Sequence, residues 1–196
     1  MKRIVLFLLL IPFTVFGQYN EPQDIDIKRQ QIVKQGLFTL GGWAAGNMIV
    51  GGIGMATSEG EAYRFHQMNF FWNTINFGIA LPGYLVARKE SPSNDFAEVR
   101  SRFRKAELSY TFNTALDLAY ITAGFWLRDR AAFSDDPAMM NGYGNSLILQ
   151  GGFLFAYDLW ALIRMGKLNK NGLNPMFDRM TLGYFPNGIS IRLRLG

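Results

Sequence analysis

FHQMNFFWNTINFGIALPG, residues 65–83, decides how the chain folds: it has no Lys, Arg, Asp or Glu, yet it holds three asparagines and the only histidine. His66, Asn69, Asn73, Asn76, Ala80, Gly83 and Ala87 recur at alternating steps of three and four, which puts them on one face of a helix. Phe70, Phe71, Trp72, Ile75, Phe77 and Ile79 flank that stripe on every side. A helix of a water-soluble bundle carries its charges on the face away from the core. This one would offer bare hydrocarbon to water, an arrangement that suits lipid, with the polar stripe turned toward neighbouring helices.

Three more stretches share the character: residues 35–58, 108–127 with Asp117 inside, and 137–163 with Asp158 inside. Each can supply about 20 helical residues, roughly the 30 Å of a bilayer core. The expected class is therefore an all-α membrane protein, a four-transmembrane-helix antiparallel bundle with a short C-terminal β-hairpin. Its divisions are a signal peptide over 1–17, a membrane domain over 18–166 (helices about 22–57, 66–87, 95–127 and 145–166) and an extramembrane tail over 167–196. The stretch 36–56 holds seven glycines. Among them Gly42 and Gly46 form a GxxxG pair, expected to let two helices approach closely. The GGIGMA segment lacks the preceding strand and the GK[ST] of a nucleotide-binding turn.

Two further polar stripes point inward: Tyr110, Asn113, Asp117, Tyr120 and Gly124, and, over a wider arc, Gln150, Tyr157 and Asp158. With antiparallel helices, counting about 1.5 Å per residue brings Asn47, Asn73, Asn76, Asp117 and Asp158 to one depth near the midplane. Two carboxyls there, with no Lys or Arg beside them in sequence, call for a shared proton or a bound cation, because a lone charge at that depth costs about 2.5–3.5 kcal/mol or more. Asp117, Asp158, Asn73, Asn76, Asn69, Asn113, His66 and Gln150 are thus the candidate ligand- or ion-binding residues. Interhelical hydrogen bonding that fixes packing is the competing role for the same set. His66, at one end of its stripe, is placed near a membrane interface, where it could relay protons.

Composition removes much other chemistry. There is no cysteine and one histidine, so thiolate sites, disulfides and two-histidine zinc sites are excluded, and neither a metal nor another cofactor is expected. No GxSxG elbow occurs. The chain is therefore expected not to be an enzyme, a carboxylate reaction through Asp117 and Asp158 being the one route left open. The net charge of +5 falls to +3 if Lys2 and Arg3 leave with the leader, and the bases flank apolar runs, so nucleic acid is not an expected partner. MKRIVLFLLLIPFTVFG, residues 1–17, reads as a cleaved export signal. After it, fifteen Lys and Arg gather on the side of residues 22–34, 88–105 and 164–194, against three on the other. The positive-inside rule places the first side in the cytoplasm, whereas a cleaved signal places it outside. The location expected is the cell envelope, inner or outer membrane unresolved. The partners are the lipid bilayer and either an envelope protein or a second copy of the chain. The leading functional expectation is a structural or accessory subunit of an envelope assembly; the alternative is a small transporter or ion- or proton-conducting bundle with a midplane Asp/Asn site.

The run Phe65-His66-Gln67-Met68-Asn69, then Trp72-Asn73, Asn76 and Ile79-Ala80, with Asn113 through Asp117 and Gln150-Gly151 through Asp158, resembles an uncharacterised family of small bacterial four-helix membrane proteins with an N-terminal signal peptide. The resemblance spans about residues 30–165. It implies fold and membrane residence, and no activity.

Of the connections, Ser91-Pro92-Ser93-Asn94 is turn chemistry, and Asp95 with Glu98 resembles a capping box. The stripe Phe96, Val99, Phe103 and Ala106, beside four bases, is expected at a membrane interface. RDRAAFSDDPAMMNGYGNS, residues 128–146, reads as a long loop, a lid or docking surface. In the tail, Ile189, Ile191, Leu193 and Leu195 alternate with polar residues after Pro-Asn-Gly, the signal for the hairpin.

Overall fold

The computed structural model describes residues 21–174 and the backbone of 180–185 and 188–193. The expected leader lies outside the described residues. Four helices make the fold: α1, Pro22–Thr57; α2, Gly60–Lys89; α3, Phe96–Arg130; and α4, Pro137–Leu168. Ala131–Phe133 is a 3-10 turn between α3 and α4, and Asn169–Leu173 is a π-type turn after α4.

α1 and α2 are joined by Ser58 and Glu59 alone, with Gly60 at φ 58° making the reversal, a left-handed conformation that favours glycine. The two helices then run antiparallel in close contact, Gly54 against the His66 ring and Gly51 against Phe70. α3 and α4 form a second antiparallel pair. Its spacing is set by backbone: a Cβ on Gly124 would lie 2.7 Å from the Gly144 carbonyl oxygen, and one on Gly151 would lie 3.0 Å from that of Asp117. α4 also meets α2, where a Cβ on Gly142 would come within 2.6 Å of the Glu61 carbonyl oxygen.

Along its length the bundle has two kinds of interior. Near the start of α3 an apolar cluster forms from Ile25, Ile32, Val99, Phe103, Ala161 and Met165, with Asp26, Arg29 and Gln30 buried beside it and Lys28, Arg100, Arg104 and Lys167 outside. Further along, the interior turns polar. The buried residues of α2 are Asn69, Asn73, Asn76, Ala80 and Ala87, while Phe71, Ile75 and Ile79 are 57–61% exposed.

Several expectations need correction. Four membrane-spanning helices were expected, but among the described residues only α1 and α4 are long and apolar enough to cross a membrane by length and composition. The asparagines of α2 and the charged first half of α3 set those two apart. The fold is also the four helices alone, an all-α class with no hairpin in it: β1, Met180–Phe185, pairs antiparallel with β2, Gly188–Leu193, as a separate two-stranded ribbon in the tail. Leu195 lies outside the described residues.

The supposed loop 128–146 is mostly helix. Asp136 caps α4 by accepting from the Met139 N–H at 2.9 Å, Pro137 fills the first turn, and Gly142 and Gly144 are packing contacts. Small residues that resemble turn chemistry serve here to bring helix backbones together. Gly42 and Gly46 do not: both are exposed, with open space where a Cβ would sit. Val99 and Phe103, from the stripe beside the four bases, are buried in the apolar core, with Phe96 and Ala106 partly buried against it. Asp95 accepts from the Glu98 N–H at 2.7 Å, but the Glu98 carboxylate turns to the Ser93 hydroxyl and Arg102, so only half of a capping box forms.

Gly124→Ala must push α3 and α4 apart and should lower stability by about 1–3 kcal/mol. Gly42→Ala meets nothing and should leave stability unchanged or raise it by up to about 1 kcal/mol through helix propensity. Thermal unfolding of the purified variants, followed by circular dichroism, checks both.

Candidate functional site: a polar seam and the cavity beside it

The buried polar residues divide into two sets. In the first, hydrogen bonds are closed. Gln150 donates to Asn69 Oδ1 and accepts from Trp43 Nε1 at 2.8 Å. Asn69 donates to Asn47 Oδ1 at 3.0 Å, and Asn73 donates to the Asn69 carbonyl at 2.7 Å. The network joins α1, α2 and α4, and Trp43 stacks on Phe153 at 3.8 Å beside it. A buried carboxamide without a partner costs about 1–3 kcal/mol, so these contacts select one register of the three helices.

The second set is open. Asp117 and Asp158 lie within hydrogen-bonding reach of each other. Both are 2% exposed, and no Lys, Arg or His among the described residues forms an ion pair with either. For two carboxyls to hydrogen-bond, one must carry the proton. Apart from that mutual contact, Asp117 Oδ2 and Asp158 Oδ1 have no partner; nor have Asn76 Nδ2 and Trp72 Nε1. All four residues line one cavity of about 760 Å³.

That cavity lies between α2 and α3, consecutive helices that lean together at Trp72 and Tyr120, whose rings meet edge to face at 4.8 Å. From Tyr120 to Arg102 its α3 wall runs roughly 27 Å. Leu37, Leu40, Ile75, Ile79, Leu116 and Leu154 make its sides apolar, and the exposed Ile75 and Ile79 stand at its rim. The rings of Tyr110 and Tyr157 meet edge to face at 6.4 Å, and both line the cavity with Asp158.

At the other end of the cavity sits a cluster of charges. Asp26, fully buried, accepts from Arg29 Nε at 2.7 Å, from Arg102 at 2.9 Å and from the Ser93 N–H at 3.0 Å. Glu90 takes Arg29 at 2.6 Å and Arg102 at 3.2 Å. α1, α3 and the 90–95 connection that follows α2 are fastened here. Burial alone would raise the Asp26 carboxyl, but the Arg29 and Ser93 hydrogen bonds and the charges of Arg29 and Arg102 outweigh it and hold it below its ordinary 3.8.

The residues named from sequence thus separate. Asn69, Asn73 and Gln150 belong to the closed network, with Asn73 Oδ1 left unpaired. Asp117, Asp158, Asn76 and the half-buried Asn113 line the cavity. His66 joins neither: its ring packs on Gly54, with Nδ1 unpartnered. Sequence reasoning missed Trp72 and Tyr120, read as lipid-facing and stripe residues, and the Asp26 cluster, whose spacing to Arg29 is the one signal it left.

The fold and site define an all-α four-helix bundle with a polar seam and a carboxyl-lined cavity. Residues 39–159 match the family of unknown function DUF6992, and the chain belongs to that family. No curated protein and no solved structure matches it.

The Asp26 contacts stabilise the fold fully above the unfolded carboxylate range and lose their effect as pH falls through the lowered folded value. At neutral pH Asp26→Asn should cost about 3 kcal/mol or more, since it leaves buried arginine charge uncompensated. The gap in melting temperature between wild type and this variant should therefore narrow as pH drops below about 4; an unchanged gap at pH 3 would contradict the assignment.

Proposed function

We propose that the polar-cored middle of this bundle resides in a lipid membrane, and that the chain is a non-enzymatic binding protein whose α2/α3 cavity takes a small ligand from the bilayer. The observation that carries this reading is that four residues, each with a buried unpartnered polar atom and together spanning α2, α3 and α4, line one cavity with an apolar rim. The volume is in the range of small-molecule sites, and a mostly apolar wall with a few convergent polar groups is their usual make-up.

Residence in lipid is supported by the reversal of polarity along the helices. Phe71, Ile75, Ile79, Phe112, Leu118 and Phe125 are exposed at the level where Asn73, Asn76, Asp117 and Asp158 are buried. In water that surface would be a large exposed apolar patch. The helices, 30–36 residues long, exceed the bilayer core, so the Asp26 cluster falls outside it. The reading favours the ligand-handling alternative over an accessory subunit, whose interior would have no need of an open cavity.

The full chain should stay with membranes through an alkaline carbonate wash. Native mass spectrometry after mild extraction should show a small molecule retained by wild type and lost from Ile79→Trp, which fills the cavity mouth. Identical spectra would return the bundle to a packing role, and recovery in the soluble fraction would remove it from the membrane.

A further inference from the structure

Resting on that reading, the chemistry of the cavity narrows the ligand. We infer that the cavity is a site for a monovalent hydrophobic organic cation, which displaces the proton shared by Asp117 and Asp158.

Four observations converge. The deep end presents two carboxyls with no cationic side chain paired to them among the described residues. Asn76, 8% exposed, lines the same space, and its unpartnered amide N–H is a donor suited to an ionised carboxylate, not to the cation itself. The rings of Trp72, Tyr120, Tyr110 and Tyr157 stand around the acidic end, and aromatic faces attract a desolvated cation. The remaining wall is hydrocarbon and opens past Ile75 and Ile79, so an apolar substituent has somewhere to lie and a route from the surrounding lipid.

Charge accounting selects the class. With one shared proton the carboxyl pair carries a single negative charge. When a monovalent cation binds, the O–H bond breaks, the proton leaves to water, both carboxylates are ionised, and the site again carries one net negative charge. The exchange therefore adds no net charge to a low-dielectric interior, where uncompensated charge is expensive. An anion would face two carboxyls. A hard inorganic cation needs six or more oxygen ligands, and no group of three His, Asp or Glu converges among the described residues. A cavity of about 760 Å³ is also far larger than an ion requires.

The other titratable groups facing this space do not compete for the pair. α1 contributes Arg29 and α2 ends in Glu90; α3 contributes Arg102, Lys105, Tyr110 and Tyr120, and α4 contributes Tyr157. Arg29 and Arg102 are neutralised by Asp26, Glu90 and Glu98, and Lys105 is exposed at the far end.

The test uses the purified full chain in detergent micelles or nanodiscs with tetraphenylphosphonium as probe and tetraphenylborate, of the same shape and opposite charge, as control. Tetraphenylphosphonium should bind saturably at pH 8 and release about one proton in weakly buffered solution. Its affinity should fall by about tenfold per pH unit once the pair holds its proton. Asp117→Asn should weaken binding at least tenfold, and so should Ile79→Trp, which leaves both carboxyls in place and melts like wild type. Phe71→Trp, the same kind of enlargement on the outward face of α2, should bind as wild type does. Equal uptake by wild type and Ile79→Trp would show partitioning into lipid and overturn the inference. Saturable binding of tetraphenylborate that Ile79→Trp abolishes would keep the cavity as a site and overturn its cation selectivity. Binding of tetraphenylphosphonium without proton release would overturn the exchange.

Discussion

A carboxamide removed from water has to find another hydrogen-bonding group, and the middle of this bundle is organised by that requirement. Gln150 reaches Asn69 and Trp43 at once, and Asn69 in turn reaches Asn47. Those contacts tie three helices in one register, because a shift of one residue on any of them would strand several amides together. Hydrophobic packing is less exacting: it tolerates sliding, and where the surroundings are themselves hydrocarbon it provides little preference for one helix neighbour over another. The glycines at 51, 54, 124, 142, 144 and 151 complete the arrangement by letting the backbones come close enough for short side chains to meet.

The two ends of the α2/α3 cavity solve the problem of buried charge in opposite ways. Around Asp26, two cations, Arg29 and Arg102, are paired with three anions, Asp26, Glu90 and Glu98, with a backbone N–H added. Around Asp117 and Asp158 there is only a proton to divide between two acids. The first arrangement is complete and holds elements together; the second is incomplete and can change occupant. Sequence distance conceals the contrast, since the partners of Asp26 lie 67 and 76 residues away in Ser93 and Arg102, apart from Arg29 one turn along.

Much of this was legible in the residues. The steps of three and four from His66 to Ala87 identified the buried face of α2, and the same spacing in 110–124 identified that of α3, because a helix translates periodicity directly into direction. The depth argument placed Asp117 and Asp158 together before their side chains were seen to meet. What escaped was everything that depends on which helix lies opposite. Gly42 and Gly46 have the spacing of a contact motif but face outward, while Gly142 and Gly144, in a stretch rich in turn formers, are contacts. A glycine reads alike in either role; only a neighbour's backbone distinguishes them. Val99 and Phe103 misled for the same reason, since an apolar stripe beside arginines suits a membrane surface as well as a core made with Ile25 and Met165.

The pairing of polar groups also has an order in time. Asn47 and Asn69 belong to α1 and α2, which are synthesised before α3 and α4, the helices of Asp117 and Asp158. Each successive pair of helices thus carries a polar contact of its own and can assemble as a unit. Gln150, arriving late in the chain, then couples the second unit to a seat that the first has finished building.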